Sequence, residues 1–456
     1  MMTDTRIILL ESQLETLRDL LFDCPGIEGA AFLLCGQSTS DRGAKLVVNS
    51  VIPIRDEDFL RREAYGLSIS SSALTRVAKL ARYEDLSIIF AHSHPDGVPE
   101  FSEQDDHEEA RLLPFLQARV PNRVHGTLVL TNTEICGRIY MPGRTPADAV
   151  LVVGDRIRQV CPVGRGAIEP FFDRQVRAFG ADIQYLLKRM HVGVVGLGGT
   201  GSPIAEQLCR LGIGHLSLFD GDTLDATNVN RVYGSTLADE GRYKVDIAKK
   251  HLERIGFGTT VDAYPFHITE EPTARSLREC DVVFGCTDKE IPRAILVQLS
   301  LRYLIPVFDM GVLIDSDKGN IRGVHGRVTT LLPGEACLFC RGRITAARMR
   351  IEALSETDRE AQIRDGYAPE LEDAAPAVIP FTSATASAAI GEFLHRLTGF
   401  MGSERKSSEV LLALDQSRVR TNRLEPREEC MCGEQSFWGR ADTSPYLDMV
   451  WTNQPK

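Results

Sequence analysis

Two histidines, a serine and a carboxylate that can work together crowd into residues 92–105, HSHPDGVPEFSEQD. His92 and His94 stand two apart at the end of the apolar run LSIIFA. If that run is a strand, both imidazoles project from one face and reach one metal. Asp105, past a turn rich in Gly and Pro, offers a third ligand. Two His and one carboxylate suit a tetrahedral zinc and leave its fourth position open, which is what hydrolytic chemistry needs. Ser102, followed three residues later by an acid, is also the start signal of a helix running into HEEARLLPFL.

The elements that must carry these side chains can be read around them. The pattern predicts a helix over 8–22, strands over 29–35 and 45–54, a helix over 71–83, and the strand 86–91 that delivers the histidines. A capped helix and the strand pair GTLVLT and ICGRIYM complete a compact α/β unit. The stretch 142–170, with Pro142, Gly143, Pro146, Pro162, Gly164, Gly166 and Pro170, reads as a boundary region. Domains are therefore expected over 1–160 and 161–456, the second having its first element near Phe171.

The spacing HxH, seven residues, SxxD resembles the JAMM (JAB/MPN) metallopeptidases. The resemblance implies a general base, a Glu just before a small apolar segment ending in Gly, and IEGAAFLLCG supplies Glu28. Such a carboxylate takes a proton from water and returns it to the leaving amine. The interval from Glu28 to Gly36 is one residue longer than the pattern, which a β-bulge would absorb. The resemblance also implies that Ser102 helps to bind the developing oxyanion besides capping its helix.

The whole chain sets bounds on these readings. It has 456 residues, room for two or three domains, and 43% hydrophobic residues, enough for ordinary cores. A formal charge of -11 with no Lys/Arg block argues against nucleic acid as the main partner. MMTDTRIILLESQLETL breaks its short apolar run with charges, and no stretch approaches a membrane span, so a cytoplasmic protein without a membrane partner is expected. Eleven Cys without a secretory signal fit reduced thiols and metal ligation better than a disulfide framework.

A second chemistry lies beyond the boundary. HVGVVGLGGTGSPIAEQLCRLGIGHLSLFDGD has a buried-strand pattern, a Gly-rich turn, an amphipathic helix and a second strand ending in acids. This is a βαβ phosphate-binding unit. Gly196, Gly198 and Gly201 permit a tight turn and close approach of a phosphate to the helix N-terminus, and Asp220 or Asp222 can hold a ribose. The glycines alone serve an NAD-dependent oxidoreductase as well as a nucleotide hydrolase.

The rest of the segment decides between them. TLDATNVNRVYG, Lys244 and DVVFGCTDKEIPR follow in order, and Arg174 and Gln175 precede the first strand in DRQVRAFG. This order resembles the ThiF/MoeB adenylating enzymes of the ubiquitin-activating superfamily, from about Phe171 to the region near Tyr446. Their shared pattern is a GxGGxG turn, here with Gly199 in its fourth place, a ribose-binding acid, an (S/T)NxxR element, a Lys and an Asp in a (C/A)TD turn. The resemblance implies that Arg231 and Lys244 clamp the phosphates of ATP, Asp222 binds its ribose, Asp288 holds Mg2+, and Asn228 and Asn230 position phosphates. Attack by a carboxylate on the α-phosphate concentrates negative charge that such cations must meet. Arg174 is implied to reach the nucleotide of a neighbouring subunit, hence a homodimer. With no GxxxxGK[ST] loop, the chain is not a conventional P-loop ATPase.

Cys337 and Cys340 form CLFC, and Cys430 and Cys432 form CMC. Four thiolates make a closed, structural zinc that staples the last segment back to its domain. Superfamily members that pass an activated protein to a thiol usually have a Cys in the segment after the first pair, yet residues 341–429 contain none. Cys286, in GCTD, reads most simply as packed against a strand end. The charged segment 343–378 is suited to passing over a bound tail, and equally to forming a solvated helix and loop.

The fold class expected is therefore α/β: a JAMM-type metallopeptidase domain followed by a Rossmann-like adenylating domain with a zinc-stapled C-terminal segment. Taken with the two resemblances, the expected activity is ATP-dependent adenylation of the C-terminal Gly of a ubiquitin-like protein, with zinc-dependent cleavage after the same tail, as in bacterial ubiquitin-like conjugation. Expected cofactors are ATP, Mg2+ and two Zn2+, one catalytic and one structural, and a separate conjugating enzyme is an expected partner. The alternatives are activation and processing of a sulfur-carrier protein for cofactor or thio-metabolite biosynthesis, a non-catalytic module that binds ubiquitin-like proteins, and a dinucleotide oxidoreductase. Sequence leaves open which modifier is used, whether a thioester forms, and whether cleavage matures the modifier or reverses its attachment.

Overall fold

The computed structural model describes residues 4–449 and 451, except 65, 96, 142, 161–166, 356, 359–360, 362–363, 365–375 and 404. Pro142, Pro162, Gly164 and Gly166 of the boundary region, and part of the charged segment 343–378, lie outside the described residues. The chain divides into two compact units. One comprises Met1–Arg165, Leu301–Leu304 and Glu434–Leu447; the other comprises Gly166–Ser300, Ile305–Gly433 and Asp448–Lys456. Among the described residues, no helix is long and apolar enough to cross a membrane.

The strands of the first unit are β1 (Asp4–Leu10), β2 (Ala30–Ser40), β3 (Gly43–Pro53), β4 (Phe59–Glu63), β5 (Gly66–Ile69), β6 (Ser87–Ser93), β7 (His125–Leu130), β8 (Ile135–Tyr140), β9 (Arg144–Pro146), β10 (Ala149–Val153) and β11 (Ile157–Gln159). Its helices are α1 (Glu11–Leu21), α2 (Ser71–Glu84) and α3 (Glu103–Arg119). Nine strands form one sheet in the order β11-β10-β1-β3-β2-β6-β7-β8-β9, while β4 and β5 make a separate hairpin.

This sheet is covered on both faces, which is why its central strands are apolar at successive positions rather than alternate ones. In β2, Ala31, Leu33 and Cys35 enter the core shared with α1, while Ala30, Phe32 and Leu34 enter the core shared with α2 and α3. Burying each large side chain contributes about 1.5–3 kcal/mol.

Two expectations need correcting. The helix expected from residue 8 starts at Glu11, because Asp4–Leu10 is a strand held in parallel between β3 and β10 and buried on both faces. The boundary region holds three strands, of which AVLVV (β10) is fully buried beside β1. Its flanking Pro and Gly residues mask that apolar run.

The second unit's strands are β12 (His191–Val195), β13 (His215–Phe219), β14 (Thr260–Tyr264), β15 (Val282–Gly285), β16 (Val307–Asp317), β17 (Asn320–Leu331), β18 (Glu409–Ala413) and β19 (Arg418–Asn422). Helices that bear on its chemistry are α4 (Asp173–Phe179), α5 (Ala181–Arg189), α6 (Gly201–Leu211) and α7 (Lys244–Ile255). The sheet runs β14-β13-β12-β15-β16-β17-β18-β19, parallel as far as β16 and antiparallel beyond. Strand order reverses direction between β12 and β15, so the crevice outside their carboxyl ends is where a doubly wound sheet binds ligands.

Candidate functional site

In the first unit, β6 places His92 on the same face as Ile88 and Phe90, the face covered by α2 and α3. Register fixes Glu28 beside it: Ala30 pairs with His92 in antiparallel β2–β6, and Ser93 N donates to Gly29 O at 3.0 Å, so Glu28 falls opposite His94. The β2–β6 register runs without interruption from Ala30 to Cys35. The bulge expected in this strand is instead in its neighbour, where Leu34 pairs with Ser50 and Cys35 with Val48, leaving Asn49 as the extra residue of β3. Asn49 Nδ2 donates to Trp438 O at 2.7 Å. The longer interval from Glu28 to Gly36 is thus carried as extended strand.

Asp105 arrives at the head of α3 through a full capping box. Ser102 Oγ accepts from Asp105 N at 3.2 Å, and Asp105 Oδ2 accepts from Ser102 N at 2.6 Å and Oγ at 2.7 Å. Its other oxygen, Oδ1, lies 2.9 Å from His92 Nε2, and Oδ2 lies 3.5 Å from His94 Nε2. Ligand atoms about 2.0–2.1 Å from one tetrahedral zinc stand roughly 3.4 Å apart, so this spacing fits a shared ion. Both ring nitrogens of His92 are buried with no hydrogen-bond partner among the described residues, despite the nearby carboxylate. The ligand atoms of His92, His94 and Asp105 all lie within 4.8 Å of one another, which suits a common third centre. The donor set fits zinc.

Burial pushes the Glu28 carboxyl above its ordinary range, and Asp105 adds to that while His92 and His94 oppose it. Burial works against the Asp105 charge too, but His92, His94 and Ser102 outweigh it and hold that carboxyl far below the usual range. A carboxyl inclined to hold a proton therefore lies near one that stays charged. All five side chains line a cavity of about 770 Å³ whose further wall is apolar, with Leu74, Phe90, Leu112 and Phe115.

In the second unit the glycines divide their work. Gly196 has φ +89°, and a Cβ there would lie 2.8 Å from Cys286 O; at Gly201 a Cβ would meet Gly196 O at 1.7 Å. Both are required by the turn itself. A Cβ at Gly198 would meet nothing within 4 Å, so its bareness leaves room above the turn, and at Gly199 it would meet Arg231 Cδ at 3.2 Å. Arg231 thus leans over the Gly-rich turn. Its guanidinium donates to Thr227 O at 2.7 Å, Asn228 Oδ1 at 3.1 Å and Asn230 Oδ1 at 3.3 Å.

The two acids after β13 differ. Asp220 is buried, with Oδ2 accepting from Leu197 N at 2.6 Å and Oδ1 from Asp222 N at 2.9 Å, so it fastens the turn. Asp222 is exposed and accepts from Lys244 Nζ at 2.9 Å, where α7 begins. Asp288 is exposed just beyond β15, and Arg174 is exposed on α4. Cys286 packs against the Gly-rich turn, 3.2 Å from a Cβ built at Gly201, and burial pushes its thiol well up, which makes it a poor nucleophile.

The four cysteines converge. Sγ separations are 3.9 Å (Cys337–Cys340), 3.7 Å (Cys337–Cys430), 3.5 Å (Cys340–Cys432) and 3.5 Å (Cys430–Cys432). Four sulfurs about 2.3 Å from a zinc stand roughly 3.8 Å apart. The cluster is therefore compatible with one zinc, and all four cysteines are unbridged.

The model of the ThiF family matches residues 172–433, more than half of the chain. The chain belongs to the ThiF family. A second model, prokaryotic homologs of the JAB domain, matches residues 11–139, so a JAB-like domain precedes the ThiF domain and both resemblances read from the motifs hold. The α/β fold class holds with them. Curated relatives include adenylyltransferase and sulfurtransferase uba4 of Emericella nidulans, 31% identical over 152 residues, which are 33% of this chain and 31% of that protein. Ubiquitin-like modifier-activating enzyme 5 of Bombyx mori is 31% identical over 173 residues, 35% of this chain and 42% of its own. The matches thus span about a third to two-fifths of those relatives. Among solved structures, E. coli MccB with ATP aligns at 16% identity over 59% of this chain and 75% of its own, with a TM-score of 0.46.

Sequence reasoning missed the apolar wall of the JAB cavity, whose residues come from separate elements and look like core in any one of them. It missed Phe101, which lines the same cavity, and gave no role to Arg138, whose guanidinium lies over the Phe101 ring. Arg138 is 33 positions from Asp105, and no spacing rule connects a strand residue to the first turn of a helix so far back.

Proposed function

We propose that this chain adenylates the C-terminal Gly of a ubiquitin-like or sulfur-carrier protein and also hydrolyses a peptide or isopeptide bond after the same kind of tail. One observation carries the reading: a ThiF-family unit with Arg231 drawn over its Gly-rich turn is fused to a JAB-like unit whose His92, His94 and Asp105 converge. Separately, each unit has many uses. Together they imply a shared substrate, an extended tail.

In the ThiF unit, the tail carboxylate displaces pyrophosphate from the α-phosphate of ATP. Backbone N–H groups at the start of α6 and the cations Arg231 and Lys244 meet the charge on phosphorus and on the departing pyrophosphate. Asp222 takes the ribose, Asp288 the Mg2+, and Asn228 and Asn230 keep Arg231 in place. Arg174, exposed on α4, serves the nucleotide of a second copy, which makes the active form a homodimer. The absence of any Cys in 341–429 favours direct transfer of the adenylate to a separate conjugating enzyme or to a sulfur donor. The bacterial conjugation setting belongs to this reading.

In the JAB unit, His92, His94 and Asp105 would hold zinc, which supplies positive charge to polarise the scissile carbonyl and to make water easier to deprotonate. Glu28 takes the proton of the attacking water on its carboxyl oxygen and hands it to the leaving amine; its burial near a charged Asp105 suits a group that must hold a proton in mid-reaction. Ser102 keeps Asp105 Oδ2 through its backbone N–H, so its one hydroxyl proton is able to turn from that oxygen to the oxyanion. The cavity admits the tail, glycines at the carboxylate cluster and bulkier side chains on the apolar wall. The four cysteines would hold a closed, structural zinc.

The test is ATP–pyrophosphate exchange with a Gly-terminated ubiquitin-like protein, paired with zinc-dependent cleavage of a fusion extended beyond that Gly. Exchange that requires the modifier, together with cleavage lost in His92→Ala while exchange persists, is the expected result. NAD binding without exchange would sink the adenylating half; cleavage that survives His92→Ala would sink the hydrolytic half.

A further inference from the structure

Asp105 depends on the first turn of α3, and that turn is gripped from both ends by one side chain. Arg138, on β8, lies with its guanidinium carbon 3.9 Å from the ring centroid of Phe101, the residue just before Ser102. Its Nη1 donates to Asp106 Oδ1 at 2.6 Å, just after Asp105, and to Glu109 Oε2 at 3.1 Å, one turn on. Phe101 in turn meets the ring of His92 edge-on at 6.4 Å, and Phe90 stacks on His92 at 5.9 Å. Arg138 is therefore one residue away from two of the converging ligands, through Phe101 to His92 and through Asp106 to Asp105.

The anchor beneath it is buried. Glu109 is 4% exposed and accepts from Thr127 Oγ1 at 2.7 Å, from Arg138 and from the Tyr140 hydroxyl. Thr127 and Arg138 are cross-strand partners of β7 and β8, so the register of two strands sets where α3 can lie. Arg144 also binds Asp106, through Nη1 at 2.9 Å and to its backbone oxygen at 2.6 Å, whereas the guanidinium over Phe101 is that of Arg138. Charge on Asp106 is thus supplied twice, while the planar stack on Phe101 is supplied by Arg138.

We propose that Arg138 is a positioning residue for the metal centre: its stack on Phe101 and its fork to Asp106 and Glu109 hold the first turn of α3 so that Asp105 and His92 face one ion. This rests on the reading of His92, His94 and Asp105 as zinc ligands. Partners one step removed from a ligand typically change metal affinity by about 10- to 100-fold when lost.

The experiment is a chelator-competition titration of zinc on the full chain, with zinc content per chain measured in parallel, for wild type, Arg138→Lys, Phe101→Leu, Arg144→Ala and His92→Ala. Arg138→Lys keeps a cation beside Glu109 and Asp106 but loses the planar stack; Phe101→Leu loses the stack and leaves the ion pairs. Both are expected to weaken the zinc of His92, His94 and Asp105 about tenfold or more at an unchanged melting temperature, with Arg144→Ala within about twofold of wild type. Wild-type affinity in both stack variants would overturn the proposal and make Arg138 a fold residue only. Equal zinc content in wild type and His92→Ala would instead overturn the metal reading itself, and the proposal with it. Should Arg138→Lys lower the melting temperature, Phe101→Leu alone decides.

Discussion

Asp220 and Asp222 stand two residues apart at the end of one strand, yet their surroundings give them opposite work. Both oxygens of Asp220 are taken by backbone N–H groups, and burial pushes its carboxyl up; Asp222 faces solvent beside Lys244. Asp222→Asn should raise the KM for ATP about tenfold in pyrophosphate exchange with little change in melting temperature. Asp220→Ala should instead destabilise the unit by about 1–3 kcal/mol, the cost of leaving buried N–H groups unpaired, read as an earlier thermal transition. The sequence offered both acids and could not separate them, because the difference is which N–H groups converge on each. The histidines were legible, since strand alternation alone puts them on one face. Glu28→Gln should slow cleavage about 10²- to 10⁴-fold, the usual weight of a general base, while pyrophosphate exchange continues; retained cleavage would remove Glu28 from the chemistry.

At the scale of elements, periodicity identified α2, α3 and β6 well because each begins or ends on a strong local signal, such as Ser102 with Asp105. It fails where burial on two faces erases the pattern: the last residues of β1 look like the start of α1, and β10 is hidden among prolines. The start of α2 shows how a short segment earns its place. Asp58 accepts from Ser70 Oγ at 2.7 Å, from Ser72 Oγ at 3.0 Å and from Arg76, and Ser70 Oγ caps the helix at Ala73 N. Ser70 first, then Arg76 and Ser72, hold the Asp58 carboxyl below its ordinary value. An unfolded Asp titrates near ~3.9, so this support is complete above that range and is lost as pH falls toward the depressed folded value. Melting temperature of the JAB unit should therefore drop between about pH 5 and pH 3 less steeply in Asp58→Asn than in wild type; parallel curves would mean that Asp58 contributes nothing to acid lability.

On the scale of the whole molecule, the cysteine spacing was legible, but the return of the chain after it was not. Cys432→Ser should lower the melting temperature of the ThiF unit and the bound zinc by one per chain relative to wild type; an unmoved transition would mean the cluster holds no structural ion. Beyond Gly433 the chain joins the first unit through backbone atoms that no motif announces. Gly36 N donates to Gly439 O at 2.9 Å, Asp442 N to Gln37 O at 3.2 Å, and Arg440 pairs with Glu84 at 3.2 Å. A Cβ at Gly36 would lie 2.4 Å from Gly439 O, so the glycine that closes IEGAAFLLCG is also where this segment crosses β2. A chain ending at Gly433 should lose the cooperative melting of the JAB unit and its cleavage while keeping pyrophosphate exchange; intact cleavage would show the segment to be dispensable. There is a consequence in time. Residues 166–433 must leave the ribosome before 434–447 can appear. At about 5–20 residues per second, the JAB-like unit waits tens of seconds, unfinished, until the ThiF unit has been made. Pyrophosphate exchange is thus expected to appear on a nascent chain before cleavage, and cleavage that appears first would contradict this order.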